Sequence, residues 1–280
     1  MKNILKIVCS SVVLASLPVG VFAGEYADLN FIGFSKNGKY LAFEESGSWD
    51  PSDALFSNTY FINVDDNSYA LPPVRIDDFV EPWADRNPFA ARDRKLRALT
   101  AANLRKLKIV TGDRGTLVVS HLLTDWSFEK PVMEDSSTIN PDRTLGPPVR
   151  APNYEGAFFW SYDPIQKVIF NDYLNPNSAN TGEYYELTLK SIEVEAPESN
   201  RSGGTYKFEL DLDDRTRHEL LETQVLQKDS ILPAARKFPY GYRIERVYVK
   251  GKKIAVFLNV FNHGFEGVSM RYMVVTGEFR

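Results

Sequence analysis

The stretch FIGFSKNGKYLAFEESG, Phe31 to Gly47, reads as strand, tight turn, strand. Phe31, Gly33 and Ser35 alternate with Ile32 and Phe34, the period of two expected when successive side chains point to opposite faces of a sheet. Lys36-Asn37-Gly38-Lys39 is a turn, because Asn-Gly tolerates the positive φ that hairpin turns require, and Tyr40 to Glu44 is the return strand. After a polar loop, Thr59 to Val64 is a third strand, and Asp65-Asp66-Asn67 turns it toward Ser68-Tyr69-Ala70. The folded part therefore opens as a meander of three or four strands.

The same texture recurs along the chain. FFWSYDPIQKVIFND (Phe158 to Asp172) repeats strand, turn, strand. EYYELTLKSIEVE (Glu183 to Glu195) is a long strand, and TYKFELDLDD (Thr205 to Asp214) places Tyr206, Phe208, Leu210 and Leu212 on one face. RVYVKGKKIAVFLNV (Arg246 to Val260) is a hairpin around Lys250-Gly251-Lys252, and RYMVVTGEF (Arg271 to Phe279) is a last strand. LKIVTGDRGTLVVSHLL (Leu107 to Leu123) reads as one more hairpin, around Gly112 to Gly115. One helix interrupts the strands: Asn87 can cap it, Pro88 suits its first position, and it ends near Leu107. Leu96, Leu99, Leu104 and Leu107 share a stripe at helical spacing, with Arg94, Arg97, Arg105 and Lys108 opposite. The fold class is mostly β, a meander or propeller-like arrangement with one amphipathic helix; a two-sheet β-sandwich is the alternative.

The first residues set the compartment. Lys2 and Lys6 precede a mostly apolar run from Ile7 to Val21, and Val21-Phe22-Ala23 is a small-x-small cleavage signal, so residues 1–23 read as a signal peptide cut after Ala23. No later run approaches the ~20 apolar residues that span a bilayer, so no transmembrane segment is expected after cleavage. Removal takes Lys2, Lys6 and the single cysteine, Cys9, and moves the net charge from −4 to −6. A chain without thiols has no disulfide framework, thiolate metal site or cysteine nucleophile, and an acidic export is a poor nucleic-acid binder. Residues 24–280 are expected to form a single mostly-β domain, or two halves joined by the Pro-rich segment 128–154. The location is periplasmic or secreted.

Chemistry-bearing constellations are few. His121, His218 and His263 have no spacing that converges on a metal, and no metal or cofactor is expected. No G-x-S-x-G nucleophile elbow occurs. Glu44 and Glu45 are strand neighbours and point to opposite faces, so they are no glycosidase pair. Asn63, Asp65 and Asn67 have calcium-loop spacing, but Ser68 and Val74 spoil the required positions. The loop Asn262-His263-Gly264-Phe265-Glu266-Gly267 lies between two strands and could form a pocket, with His263, Phe265, Glu266 and Arg271 as candidate binding residues. Residues 86–108 hold eight Lys/Arg against the single acid Asp93, so the face carrying Arg94, Arg97, Arg105 and Lys108 is a candidate interaction surface.

Two resemblances follow from quoted residues. FSKNGKYLAFEESG followed by SNTYFINVDD resembles one blade of a TolB-type propeller, which bears on architecture alone. The opening stretch, LPAARKFPYGYRIE (Leu232 to Glu245) and VFNHGFEGVSMRYMVVTG (Val260 to Gly277) resemble a family of predicted secreted bacterial proteins, domain of unknown function 2259. Members often carry a cysteine near the segment matching Ala235 to Phe238; this chain has none, so a disulfide there is absent. The resemblance implies export and carries no activity. The expected function is a non-catalytic binding protein of the bacterial envelope or exterior, with a protein or envelope component as partner. The alternative is a hydrolase with its site at the His263–Glu266 loop.

Overall fold

The computed structural model describes residues 25–49, 54–78, 88–121, 149–150, 160–161, 165–172, 174–175, 178–195, 204–216, 219–263 and 268–279. In chain order these form strands β1 (Glu25–Tyr26), β2 (Asp28–Phe34), β3 (Tyr40–Trp49), β4 (Ala54–Asn63) and β5 (Ser68–Asp78), then helix α1 (Pro88–Lys106). There follow β6 (Thr116–Ser120), β7 (Val149–Arg150), β8 (Trp160–Ser161), β9 (Ile165–Asn171), the single turn α2 (Ser178–Thr181), β10 (Glu183–Val194), β11 (Thr205–Thr216) and β12 (Glu219–Lys228). A 3-10 turn, Ala234–Arg236, leads to β13 (Pro239–Lys250), β14 (Lys253–His263) and β15 (Val268–Glu278). The fold is mostly β with one long helix, as the sequence pattern requires.

Three sheets hold nearly all of these strands. β2-β3-β4-β5 form an N-terminal meander, β9 to β12 a middle meander, and β1-β15-β14-β13-β6 a five-stranded central sheet. The central sheet lies between the other two. On β14, Ala255 and Phe257 join Phe31, Phe34, Leu41, Phe43 and Ile62 of the N-terminal meander. The alternate residues Ile254, Val256, Leu258 and Val260 join Val168, Leu187, Leu189, Phe208 and Leu210 of the middle meander. Side chains of one strand point alternately to opposite faces, so both faces of β14 are core, and its run KIAVFLNVF is apolar without alternation. The helix adds an outer layer: Leu104, Leu107 and Ile109 pack with Ala42, Phe61, Leu71 and Val74 on the outside of the N-terminal meander. The four-stranded units are blade-like meanders, but they stack in the order N-terminal, C-terminal, middle. That makes three sheets face to face, one more than a two-sheet sandwich.

Local structure departs from the sequence pattern in five places. A bulge falls between Phe31 and Gly33, so Phe31 and Phe34 share a face, their ring centroids 5.2 Å apart, where strict alternation would separate them. Gly33 is needed there: its φ is +147°, and a Cβ would lie 2.4 Å from the Val110 carbonyl oxygen. In the following turn only Gly38, at φ +72°, takes a positive φ; Asn37 instead accepts hydrogen bonds through Oδ1 from the Ser35 hydroxyl (2.8 Å) and the Lys39 amide (3.2 Å). Leu107 to Leu123 is no hairpin. Val110 and Gly112 donate to the carbonyls of Phe34 and Ile32 along the edge of β2, whereas β6 pairs with β13 in the central sheet. β12 (ELLETQVLQK), rich in the helix-favouring residues Glu, Leu, Gln and Lys, has no strand pattern of its own; pairing with β11 overrides its local preference. Arg94, Arg97 and Arg105 of the helix and Lys108 just beyond its end are exposed as expected, but so is Leu99 (52 %), and the buried stripe runs Arg92, Leu96 and Thr100, continued by Leu107 after the last turn. The capping residue Asn87 lies outside the described residues.

Candidate functional site

β15 has a free edge for most of its length, because β1 pairs with it only at Ser269 and Met270. Side chains of the N-terminal meander cap that edge. Glu45 Oε2 accepts from the Tyr272 amide (3.0 Å), and Asn67 Oδ1 accepts from the Thr276 amide (3.0 Å). Satisfying these edge amides fixes β3 and the β4–β5 turn against the central sheet. Across the gap, Asn67 Nδ2 donates to Gln227 Oε1 of β12 (2.7 Å), which ties the two outer meanders together. The space bounded by these contacts is a cleft of about 770 Å³, the size of a small-ligand pocket.

One wall is aromatic. Phe43 stacks on Tyr60 (4.9 Å, 23°), and Tyr60 stacks on Tyr69 (6.2 Å, 20°), whose ring is 61 % exposed and closes the pile. The Tyr60 hydroxyl donates to Glu45 Oε1 (2.7 Å), and the Asn58 amide donates to the same oxygen (3.1 Å). Burial first, and Glu45 second, push the Tyr60 phenol far above its ordinary range, so it remains a neutral donor. Burial likewise raises Tyr69, opposed by Arg75.

The opposite wall is the segment between β12 and β13. Asp229, buried at 5 %, accepts a two-pronged pair from Arg236, whose second nitrogen lies 2.9 Å from Oδ1. Burial alone would raise the Asp229 carboxyl; hydrogen bonds from Arg236, Gln227 and the Phe208 amide bring it below the usual range. The Arg236 guanidinium also lies over the Phe208 ring (4.7 Å). Pinned this way, the turn presents Lys237 at the cleft with φ +59°, left-handed for a residue that carries a side chain.

The floor comes from the ends of β14 and β15. Asn262 pairs with Ser269 and Val260 pairs with Arg271, so Asn262 and Arg271 are diagonal neighbours on one face. The Arg271 guanidinium carbon sits 3.7 Å from the Phe56 ring centroid and 4.2 Å from that of Trp49. Its two terminal nitrogens are buried and have no hydrogen-bond partner among the described residues, and the same holds for Asn262 Oδ1. Burial pulls the Arg271 pKa down, while Glu45, Glu25, Tyr60 and Asp77 oppose that. A guanidinium still stays charged, so the cleft contains a desolvated cation with two unused donors beside an unused acceptor.

Of the residues singled out in the sequence, Arg271 lines this cleft. Phe265, Glu266 and the His263 side chain lie outside the described residues. The helix cations line no part of the cleft. Asn262 is read within the pocket loop but not as a binding residue, and Trp49, Tyr69, Arg75 and Asp77 went unnoticed, since each sits in an ordinary strand and only the stacking of sheets gathers them. The Leu232 to Glu245 segment, quoted for its resemblance, was the one other signal.

Fold and cleft define a class: a β protein of three stacked sheets, antiparallel but for the short β1–β15 pairing, with a ligand-sized cleft at the free edge of the middle layer. The chain belongs to the family described as predicted secreted protein (DUF2259), whose model matches residues 42–278. No curated protein and no solved structure matches it. Among the described residues no helix is long and apolar enough to cross a membrane.

Proposed function

We propose that the protein is exported, to the periplasm or the exterior, and binds a small polar molecule in the cleft between β15, the β3–β5 wall and the Pro233–Lys237 turn. The observation that carries this reading is the set of buried polar atoms without a partner among the described residues, Arg271 Nη1 and Nη2 and Asn262 Oδ1, on the floor of a cleft of about 770 Å³. Leaving such atoms unpaired costs ~1–3 kcal/mol each, a cost that a ligand supplying their hydrogen bonds removes. Family membership supports export. The test is a thermal-melt panel of small polar compounds (neutral and acidic saccharides, amino acids, short peptides) on residues 24–280, beside a Ser269→Trp variant that fills the floor. Binding at a hundredfold excess over Kd stabilises by about 2.7 kcal/mol, which a melt resolves. A saturable rise in Tm that Ser269→Trp abolishes supports the proposal. Failure of every compound to move the wild-type Tm sinks it.

A further inference from the structure

The unpaired groups of the cleft describe the chemistry of what they would hold. We infer that the ligand is an acidic saccharide: a sugar ring lying against the Tyr60–Tyr69 stack, with a carboxylate on Arg271 and a hydroxyl donating to Asn262 Oδ1. The inference rests on the cleft being a binding site. Three features of the lining, each independent of the others, select this class.

The first is the guanidinium. Two unpartnered terminal nitrogens in a planar fork can each direct one N–H at the two oxygens of a carboxylate, which accept side by side. Phe56 and Trp49, their ring centroids 5.0 Å apart, pack against the guanidinium from neighbouring directions, and neither terminal nitrogen has a hydrogen-bond partner among the described residues. Glu45, Glu25 and Asp77 act on that charge through space, but it has no hydrogen-bonded counter-ion among the described residues, which a carboxylate would supply and a neutral ligand would not. The second is Asn262 Oδ1, an acceptor with no partner among the described residues, one diagonal step from Arg271 across the β14–β15 pair. Diagonal neighbours stand ~7–8 Å apart. A ligand meeting both must present an acceptor pair at one end and a donor a few atoms away, as the carboxylate and a ring hydroxyl of a uronic acid do. The third is the aromatic wall. Tyr69 is the outer ring of a stack and 61 % exposed, which leaves it a face for the apolar side of a pyranose. Asp77 and Gln227 also line the cleft, with side-chain oxygens that accept hydrogen bonds from further hydroxyls.

The experiment compares D-galacturonate and D-glucuronate with D-galactose and D-glucose by calorimetry on the mature protein, with acetate as the bare carboxylate. Trp49, against Arg271, supplies a second readout by fluorescence, with Trp49→Phe as its control. The expected result is binding of at least one uronate ten times tighter than its neutral parent. Arg271→Gln should erase that preference, Arg271→Lys should retain part of it, and Tyr69→Ala should weaken acid and neutral sugar by the same factor. The methyl ester of the uronate, which removes the ligand charge without touching the protein, should bind like the neutral sugar; this arm holds even if Arg271→Gln does not fold. Equal affinity for acid, ester and neutral sugar overturns the carboxylate assignment and leaves the cleft reading standing. Acetate binding as tightly as the uronates, or binding of another compound class in place of any saccharide, overturns the sugar assignment alone. A cleft that takes no compound at all overturns both.

Discussion

The N-terminal and middle meanders have the same four-stranded antiparallel order and pack on the same central sheet, yet their outer faces are opposites. The N-terminal meander turns Ala42, Phe61, Leu71 and Val74 outward, where α1 covers them. The middle meander turns outward Glu186, Lys190, Glu209, Asp211, Asp213 and Arg215, which pair with each other and with Lys167 and Lys228. The strand patterns record the difference. Runs such as TYFI in β4 are apolar at successive positions, because both faces are covered. KFELDLDD in β11 alternates strictly, because one face is core and the other a lattice of charge. A strand's layer is therefore written in whether its apolar residues come in succession or every second position.

Five tests probe this contrast, the first at the sheet both meanders share. Phe257 and Leu258 are adjacent on β14, each fully buried, and face opposite meanders. Phe257→Ala should cost ~3–5 kcal/mol and Leu258→Ala ~2–5 kcal/mol in urea unfolding. A cost under about 1 kcal/mol at either position breaks the two-faced reading of the central sheet. Phe61→Ala, beneath the helix, should cost ~3–5 kcal/mol and also raise amide exchange in α1; unchanged exchange there would separate the helix from the sheet it covers.

The third test concerns the joint between the middle meander and the cleft. Asp229→Asn leaves Arg236 buried without its counter-charge and should cost ~3–5 kcal/mol. Since the folded carboxyl lies below its ordinary value, the pair's contribution is complete above the unfolded pKa near 4 and is lost as the pH falls through the folded pKa. The difference in stability between wild type and Asp229→Asn should therefore shrink on acidification below pH 4. A difference that stays constant with pH contradicts this account of the joint.

On the charged outer face the effects should be small. Glu209 is paired with Lys190 and Lys228, which hold its carboxyl below the usual range. Glu209→Gln should cost only ~0.2–1 kcal/mol and less in high salt, because exposed lysines are screened. A loss as large as that of Phe61→Ala would erase the contrast between the two faces. Smallest of all, Arg94→Glu with Arg97→Glu on the exposed side of α1 should shift stability by no more than about ±0.5 kcal/mol per site and leave cleft binding unchanged. A pull-down partner of the mature protein lost on this charge reversal would mark the helix face as an interaction surface in its own right.

Part of this was legible in the residues. Asn-Gly at 37–38, the Lys250–Lys252 turn and the alternation of β11 place their strands, because turn chemistry and side-chain period act over a few residues. The start of α1 at Pro88 is local in the same way. The bulge at Phe31–Gly33 was not legible, since the reason for Gly33 is a carbonyl seventy-seven residues away, that of Val110. Nor was β12, whose composition favours helix and whose strand state comes from its neighbour. In the cleft, Arg271 drew attention for its place after a glycine-rich loop. The property that the binding proposal uses, a buried guanidinium whose terminal nitrogens have no partner among the described residues, depends on Phe56 and Trp49, more than two hundred residues earlier in the chain.

The sequence alone determined the β-rich meanders and the long helix, because each depends on composition or on spacing within one element. The stacking order of the sheets and the cleft were decided by the tertiary structure. Hydrophobic burial is non-directional: an apolar strand face specifies that it will be covered, and only the competition among all the faces settles by which. That competition leaves the edge of β15 open between two outer sheets, and so brings Arg271, Asn262 and Tyr69 to one place.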